Sequence, residues 1–139
     1  MTVIARTSPP PPAADADSEF FWDGLRARRL LLQVCTGCER PRFPPMPSCP
    51  YCGCPRWDLR EASGQGAVYS FIVVTQSFTP ELASDVPYPI ATVTLAEGPR
   101  VLARVEGGRP AIGDQVTAVY VDHGDWTELR FERSLPTDR

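Results

Sequence analysis

Cys35-Thr-Gly-Cys38 and Cys49-Pro-Tyr-Cys52, ten residues apart, are the part of the chain whose residue types and spacing can do chemistry. A C-x-x-C hook lets one tight turn aim two thiolates at a single ion. Backbone N–H groups behind the sulfurs share their charge. Five unrelated thiols would not fall into two such pairs, so Cys35, Cys38, Cys49 and Cys52 are predicted to bind one metal ion. Gly53 follows the second hook, where a side chain would crowd the turn. Glu39 holds that place after the first.

Four-thiolate sites hold zinc in ribbons and iron in rubredoxin-type electron carriers, and the spacing alone does not separate them. Zinc is preferred, because no second redox centre accompanies the hooks. An ion with all four positions filled by thiolate has none left to activate water, so its role would be structural. Cys54 would close a hook of a different length from the first. It is read as a free thiol or a small packed residue.

No other constellation in the chain makes an active site. The single histidine, His123, sits in a His-Gly-Asp turn and is read as a solvated loop residue. Glu81 and Ser84-Asp85 have no second acid–base partner at a defined spacing. Gly64-x-Gly66 is too short for a phosphate loop. Arg40, Arg42, Arg56 and Arg60 along the hooks, with Arg100 and Arg104 on one strand face, read either as solvated charge or as contacts for a phosphate.

The 139 residues suffice for one domain, or for two small modules sharing a core. All fourteen basic residues are arginine and the net charge is −3, which leaves no basic footprint for nucleic acid or an anionic membrane. The start lacks a secretory apolar region and no run is long enough to span a membrane. Cysteines arranged as metal hooks fit a reducing compartment, so a cytoplasmic protein is expected.

Residues 1–17, with the proline run Pro9–Pro12, read as a disordered tail. A helix is expected over 18–32, capped by Asp17 or Ser18, with Phe21, Trp22 and Leu25 on one face and arginines in its last turn. Phe20, Phe21 and Trp22 exceed what so short a helix buries. Either they plug the junction with the next module or they dock onto a partner. Residues 33–62 form the expected ribbon, its loop stiffened by six prolines between Pro41 and Pro55.

Residues 63–134 then read as five strands: Ala67–Phe78, Ile90–Ala96, Arg100–Glu106, Gln115–Asp122 and Trp126–Arg133. Five strands with a long, curved first member predict a Greek-key barrel of the OB type. The loop 79–89 then joins its first two strands, where such barrels often bind ligands. Residues 135–139 form a short tail. The fold class is mainly β: an N-terminal helix, a rubredoxin-like zinc ribbon and a five-stranded OB-fold barrel.

The succession Phe-Trp-x-x-Leu, Cys35-x-x-Cys38, Phe43-Pro-Pro45, Cys49-Pro-x-Cys52-Gly53, Ser63-Gly-x-Gly66-x-Val-Tyr-Ser70, Glu97-Gly98-Pro-Arg100 and Ile112-Gly113-Asp-x-Val116 resembles the zinc-ribbon/OB-fold acyl-CoA-associated family, long catalogued as a domain of unknown function. The likeness runs from about Phe20 to Phe131, with Glu39 and Cys54 as departures. It implies a non-catalytic accessory subunit of a thiolase-superfamily enzyme, an acyltransferase or retro-aldolase acting on acyl-CoA, including enzymes of steroid side-chain degradation. The partner would meet Phe20, Phe21, Trp22 and Tyr88 in a two-plus-two heterotetramer, and one or two arginines would touch CoA phosphates. The competing readings are a nucleic-acid-binding ribbon and barrel, which would need a basic groove with stacking aromatics, and a rubredoxin-like electron carrier.

Overall fold

The computed structural model describes residues 9–134. The expected C-terminal tail and the first eight residues of the expected leader lie outside that range. Helix α1 spans Glu19–Arg26. Its entry is organised one turn earlier than the capping pattern suggests. The Asp15 carboxylate accepts the backbone N–H groups of Asp17 and Ser18 at 3.1 and 2.9 Å. Ser18 itself makes no side-chain cap bond.

The helix is also shorter than the segment 18–32. Arg28 turns left-handed at φ 63°. Arg29 N–H donates to the Gly24 carbonyl at 2.8 Å and Arg28 N–H to that of Leu25 at 2.9 Å. This is a Schellman stop, built on arginine where glycine is usual. Phe21 and Leu25 enter the core, while Phe20 packs on Trp57 at 5.2 Å and Trp22 meets Trp126 edge-on at 6.1 Å.

Strand β1 (Leu31–Cys35) follows directly and is the centre of a three-stranded antiparallel ribbon. Its neighbours are β2 (Pro41–Arg42) and β3 (Trp57–Glu61). Gln33 lies opposite Arg42, and Cys35 opposite Trp57. Leu31, Leu32 and Ala62 are buried, and the chain passes from β3 straight into the second module.

That module is a closed barrel of β4 (Gln65–Val74), β5 (Tyr88–Leu95), β6 (Arg100–Glu106), β7 (Gln115–Asp122) and β8 (Thr127–Arg133), ordered β4-β5-β6-β8-β7. Its one parallel pairing joins β6 to β8 across Arg104–Glu106 and Arg130–Glu132. Alternation places Val93 and Leu95 of β5 and Val101, Ala103 and Val105 of β6 inside. Phe21, Leu25, Leu30 and Leu32 join the same cluster, so helix and ribbon close one end of the barrel with a continuous core.

Strand β4 ends at Val74, four residues short of the expected Phe78, whose side chain is 88% exposed. A bulge between Val68 and Ser70 turns Tyr69 outward. Gly66 lies within β4, where β5 passes so close that a Cβ would stand 2.6 Å from Val93 Cγ1.

Candidate metal centre and the ribbon–barrel cleft

The two hooks bring Cys35, Cys38, Cys49 and Cys52 together with all four sulfurs within 4.8 Å of one another. Cys35 and Cys52 sulfurs stand 3.5 Å apart, those of Cys38 and Cys49 3.7 Å. Tetrahedral zinc with bonds of about 2.3 Å would separate its sulfurs by about 3.8 Å, so the constellation fits an ion of that kind. Among the described residues no other group of His, Cys, Asp and Glu has this arrangement.

The turns supply the donors a thiolate requires. Gly37 and Cys38 N–H groups point at Cys35 Sγ at 3.2 and 3.4 Å, and Tyr51 N–H at Cys49 Sγ at 3.3 Å. The Cys38 N–H is the largest influence on the Cys35 thiol. Against the opposing effect of burial, it and Gly37 hold that thiol down to about 6. Cys54 stays outside the cluster, with its sulfur 3.8 Å from Thr36 Oγ1 and 3.7 Å from the Arg56 carbonyl.

Beside the metal turns lies a polar core that the sequence did not reveal. Gln33 and Arg42 are buried, at 1% and 3% exposure. Gln33 Oε1 accepts from Arg42 Nε at 3.0 Å and from Met46 N–H at 2.8 Å. Gln33 Nε2 and Arg42 Nη2 both donate to the Met46 carbonyl. The proline-rich loop is therefore held by side chains as well as by the hooks. Arg42 is not part of a solvated face.

Arg42 also borders a cleft of about 490 Å³ between ribbon and barrel, with Arg40, Tyr51, Thr94 and Arg100 around it. Arg40 lies over the Tyr51 ring at 4.6 Å and Arg100 over the Tyr69 ring at 3.6 Å. Two polar atoms of this lining, Arg42 Nη1 and Glu97 Oε1, are buried without a hydrogen-bond partner. Arg56 and Arg60 lie elsewhere, exposed.

The remaining sequence candidates separate. Arg104 is bonded to Asp85 at 2.9 Å and lies over the Tyr88 ring at 4.2 Å, which ties the loop before β5 to the barrel. The His123 side chain is 8% exposed, contrary to a solvated loop residue. The β7–β8 hairpin folds it back onto the Trp126 ring at 4.9 Å and onto Glu128 at 2.8 Å. Phe21, at 5% exposure, is committed to the core, whereas Phe20, Trp22 and Tyr88 remain partly exposed.

A four-cysteine ribbon feeding a closed five-stranded barrel defines a zinc-ribbon/OB-fold protein. The sequence matches the family models "ChsH2, rubredoxin-like zinc ribbon domain" over residues 22–57 and "ChsH2, C-terminal OB-fold domain" over residues 59–121. The chain belongs to this ChsH2-type DUF35 family. Its backbone resembles a solved chain of the "Ltp2-ChsH2(DUF35) aldolase" with a TM-score of 0.81 and 36% identity, covering 90% of this chain and 100% of that one.

A probable enoyl-CoA hydratase alpha subunit of Thermomonospora curvata is 38% identical over 130 residues, 94% of this chain. The 3-oxo-4,17-pregnadiene-20-carboxyl-CoA hydratase alpha subunit of Mycobacterium tuberculosis is 36% identical over 131 residues, 87% of this chain. The chain spans only 39% of the length of each of these two relatives. No helix among the described residues is long and apolar enough to cross a membrane.

Proposed function

We propose that this chain is a non-catalytic accessory subunit, stapled by one structural zinc ion, which binds an acyl-CoA enzyme of the thiolase superfamily and supports its activity and CoA-substrate access. The observation that carries the reading is the likeness to a whole chain of the aldolase complex, at an identity well above that of a shared fold alone. The metal cluster adds support, since four thiolates leave an ion no position for substrate or water. The pregnadiene-carboxyl-CoA relative favours a steroid-derived acyl chain. Cytoplasm is the compartment that suits reduced cysteines.

In this reading Phe20, Trp22 and Tyr88 contribute apolar area to the interface, and two copies meet two partner chains. Arg40 and Arg100 border the ribbon–barrel cleft and offer planar, bidentate contacts to the phosphates of the CoA arm. The hydratase relatives favour a second reading of the partner, in which the subunit serves an enoyl-CoA hydratase instead.

The test is affinity capture of the tagged chain from its native lysate, followed by reconstitution. The proposal expects a stoichiometric thiolase-superfamily protein whose turnover of acyl-CoA depends on this chain. A hydratase in its place would establish the second reading. Recovery of the chain alone, or with nucleic acid, would remove both.

A further inference from the structure

Strand β3 is one margin of the ribbon, paired with β1 on its inner side and with no strand on its outer side. The phase of its backbone follows from the ends of that ladder. Thr36 N–H donates to the Arg56 carbonyl at 3.2 Å and Ala62 N–H to the Leu30 carbonyl at 2.7 Å. By the two-residue alternation of an antiparallel pair, Asp58 and Arg60 also turn their N–H and C=O groups toward β1. Those of Trp57, Leu59 and Glu61 point outward, where no backbone group among the described residues meets them. Asp58, Leu59, Arg60 and Glu61 are exposed. Among the described residues neither Asp58 nor Arg60 has an ion-pair partner, whereas Glu61 is held by Arg29 at 3.1 Å.

An open edge of this kind accepts a further strand, and charge decides which one. A second copy of β3 laid antiparallel must set outward-facing residues against outward-facing residues, so its register moves only in steps of two. Pairing Trp57 with Leu59 sets Asp58 against Asp58. Pairing Leu59 with Glu61 sets Arg60 against Arg60. The register between these, Leu59 against Leu59, sets Asp58 of each copy against Arg60 of the other. It also runs the length of the strand, so that every outward N–H and C=O finds a partner, with Trp57 opposite Glu61. The Asp58–Arg60 pairs fall at non-hydrogen-bonded positions, where opposed Cα atoms come within about 4.5 Å and side chains interact most closely.

We propose that β3 is a self-association edge, through which two copies of this chain pair antiparallel about Leu59 and join their ribbons into one continuous sheet. The arrangement has a two-fold axis at Leu59, so the contact is self-complementary and closes at a dimer instead of growing into a filament. Main-chain bonds supply the attraction, and the Asp58–Arg60 pairs select the register by making both neighbouring ones repulsive. The contact is confined to one short strand, so the dimer fills at high protein concentration and dissociates on dilution. The fold of each copy does not depend on it.

The test is sedimentation velocity of the whole, metal-loaded chain over a concentration series. The parent should pass reversibly from monomer to dimer. Asp58→Arg and Arg60→Asp each set like charges opposite one another and should raise the dimer dissociation constant by about tenfold or more. Asp58→Arg/Arg60→Asp exchanges the signs and should dimerise like the parent. An equimolar mixture of the two single variants should form a mixed dimer although neither does so alone. A parent that stays monomeric up to about 1 mM, a dimer indifferent to both reversals, or an exchange and a mixture that both fail to recover it would overturn the proposal. Circular dichroism and metal content matching the parent confirm that each chain compared is folded, and Asp58→Lys or Arg60→Glu replaces a single variant that is not.

Discussion

Glu39 and Gly53 hold the same place in the two metal turns. Each is left-handed, at φ 65° and 82°, and each donates its backbone N–H to the carbonyl of the first cysteine of its hook, Cys35 at 2.9 Å and Cys49 at 2.8 Å. Glycine adopts that conformation without penalty, and glutamate does not. Glu39→Gly should therefore stabilise the metal-loaded protein by about 1 kcal/mol, and Gly53→Ala should destabilise it by about the same. Urea midpoints at fixed metal concentration measure both. If both substitutions shifted stability in the same direction, the two turns would not be equivalent.

The four-ligand assignment separates Cys54 from its neighbours. Cys54→Ser should keep one metal ion per chain by elemental analysis, since its sulfur lies outside the four-sulfur cluster, beside Thr36 and the Arg56 carbonyl. Cys38→Ser should lose the ion, and with it the ribbon, because the binding energy of a structural ion is folding energy. Metal retained by Cys38→Ser and lost from Cys54→Ser would reverse the assignment.

Gln33→Leu tests the buried polar core. It leaves Arg42 Nε and the Met46 N–H without the acceptor they share. A buried cation stripped of a hydrogen bond should cost on the order of 3 kcal/mol, whereas exposed Arg60→Ala should change stability by no more than about 0.5 kcal/mol. Denaturant unfolding of both variants gives the comparison. Equal effects would mean that the network contributes nothing to holding the proline-rich loop.

Where the sequence was legible, a period or a spacing carried the information. The hooks could be read because two residues between cysteines is a geometric constraint, and β5 and β6 because one buried face enforces alternation. What escaped was set by tertiary contact. No glycine marks the end of α1, since Arg28 accepts the left-handed turn while its guanidinium binds Asp122 on β7. Gly66, one residue ahead of the expected first barrel strand, lies within β4, and β5 crosses it too close for a side chain. Gln33 and Arg42 carry no local sign of burial, as their partners lie across the ribbon and in the loop. His123 reads as a turn residue until the hairpin closes it over Trp126.

The Arg28–Asp122 pair gives a prediction for pH. Arg28 Nη1 and Nη2 donate to the two Asp122 oxygens at 3.0 and 2.7 Å, and Thr127 Oγ1 adds a third bond at 2.7 Å. Arg28, the larger influence, and Thr127 hold the Asp122 carboxyl far below the ordinary carboxylate range. A carboxyl that binds its proton less readily folded than unfolded contributes stability at pH above the unfolded value. That contribution is lost as the pH falls toward the lower folded value. Asp122→Asn keeps the shape but not the charge, so its urea midpoint should lie below that of the parent at pH 7 and the two should converge in acid. Both side chains are about half exposed, so added salt should also narrow the gap. A difference that persists unchanged from pH 7 to pH 3 would show that the charge pair between Arg28 and Asp122 does not carry it.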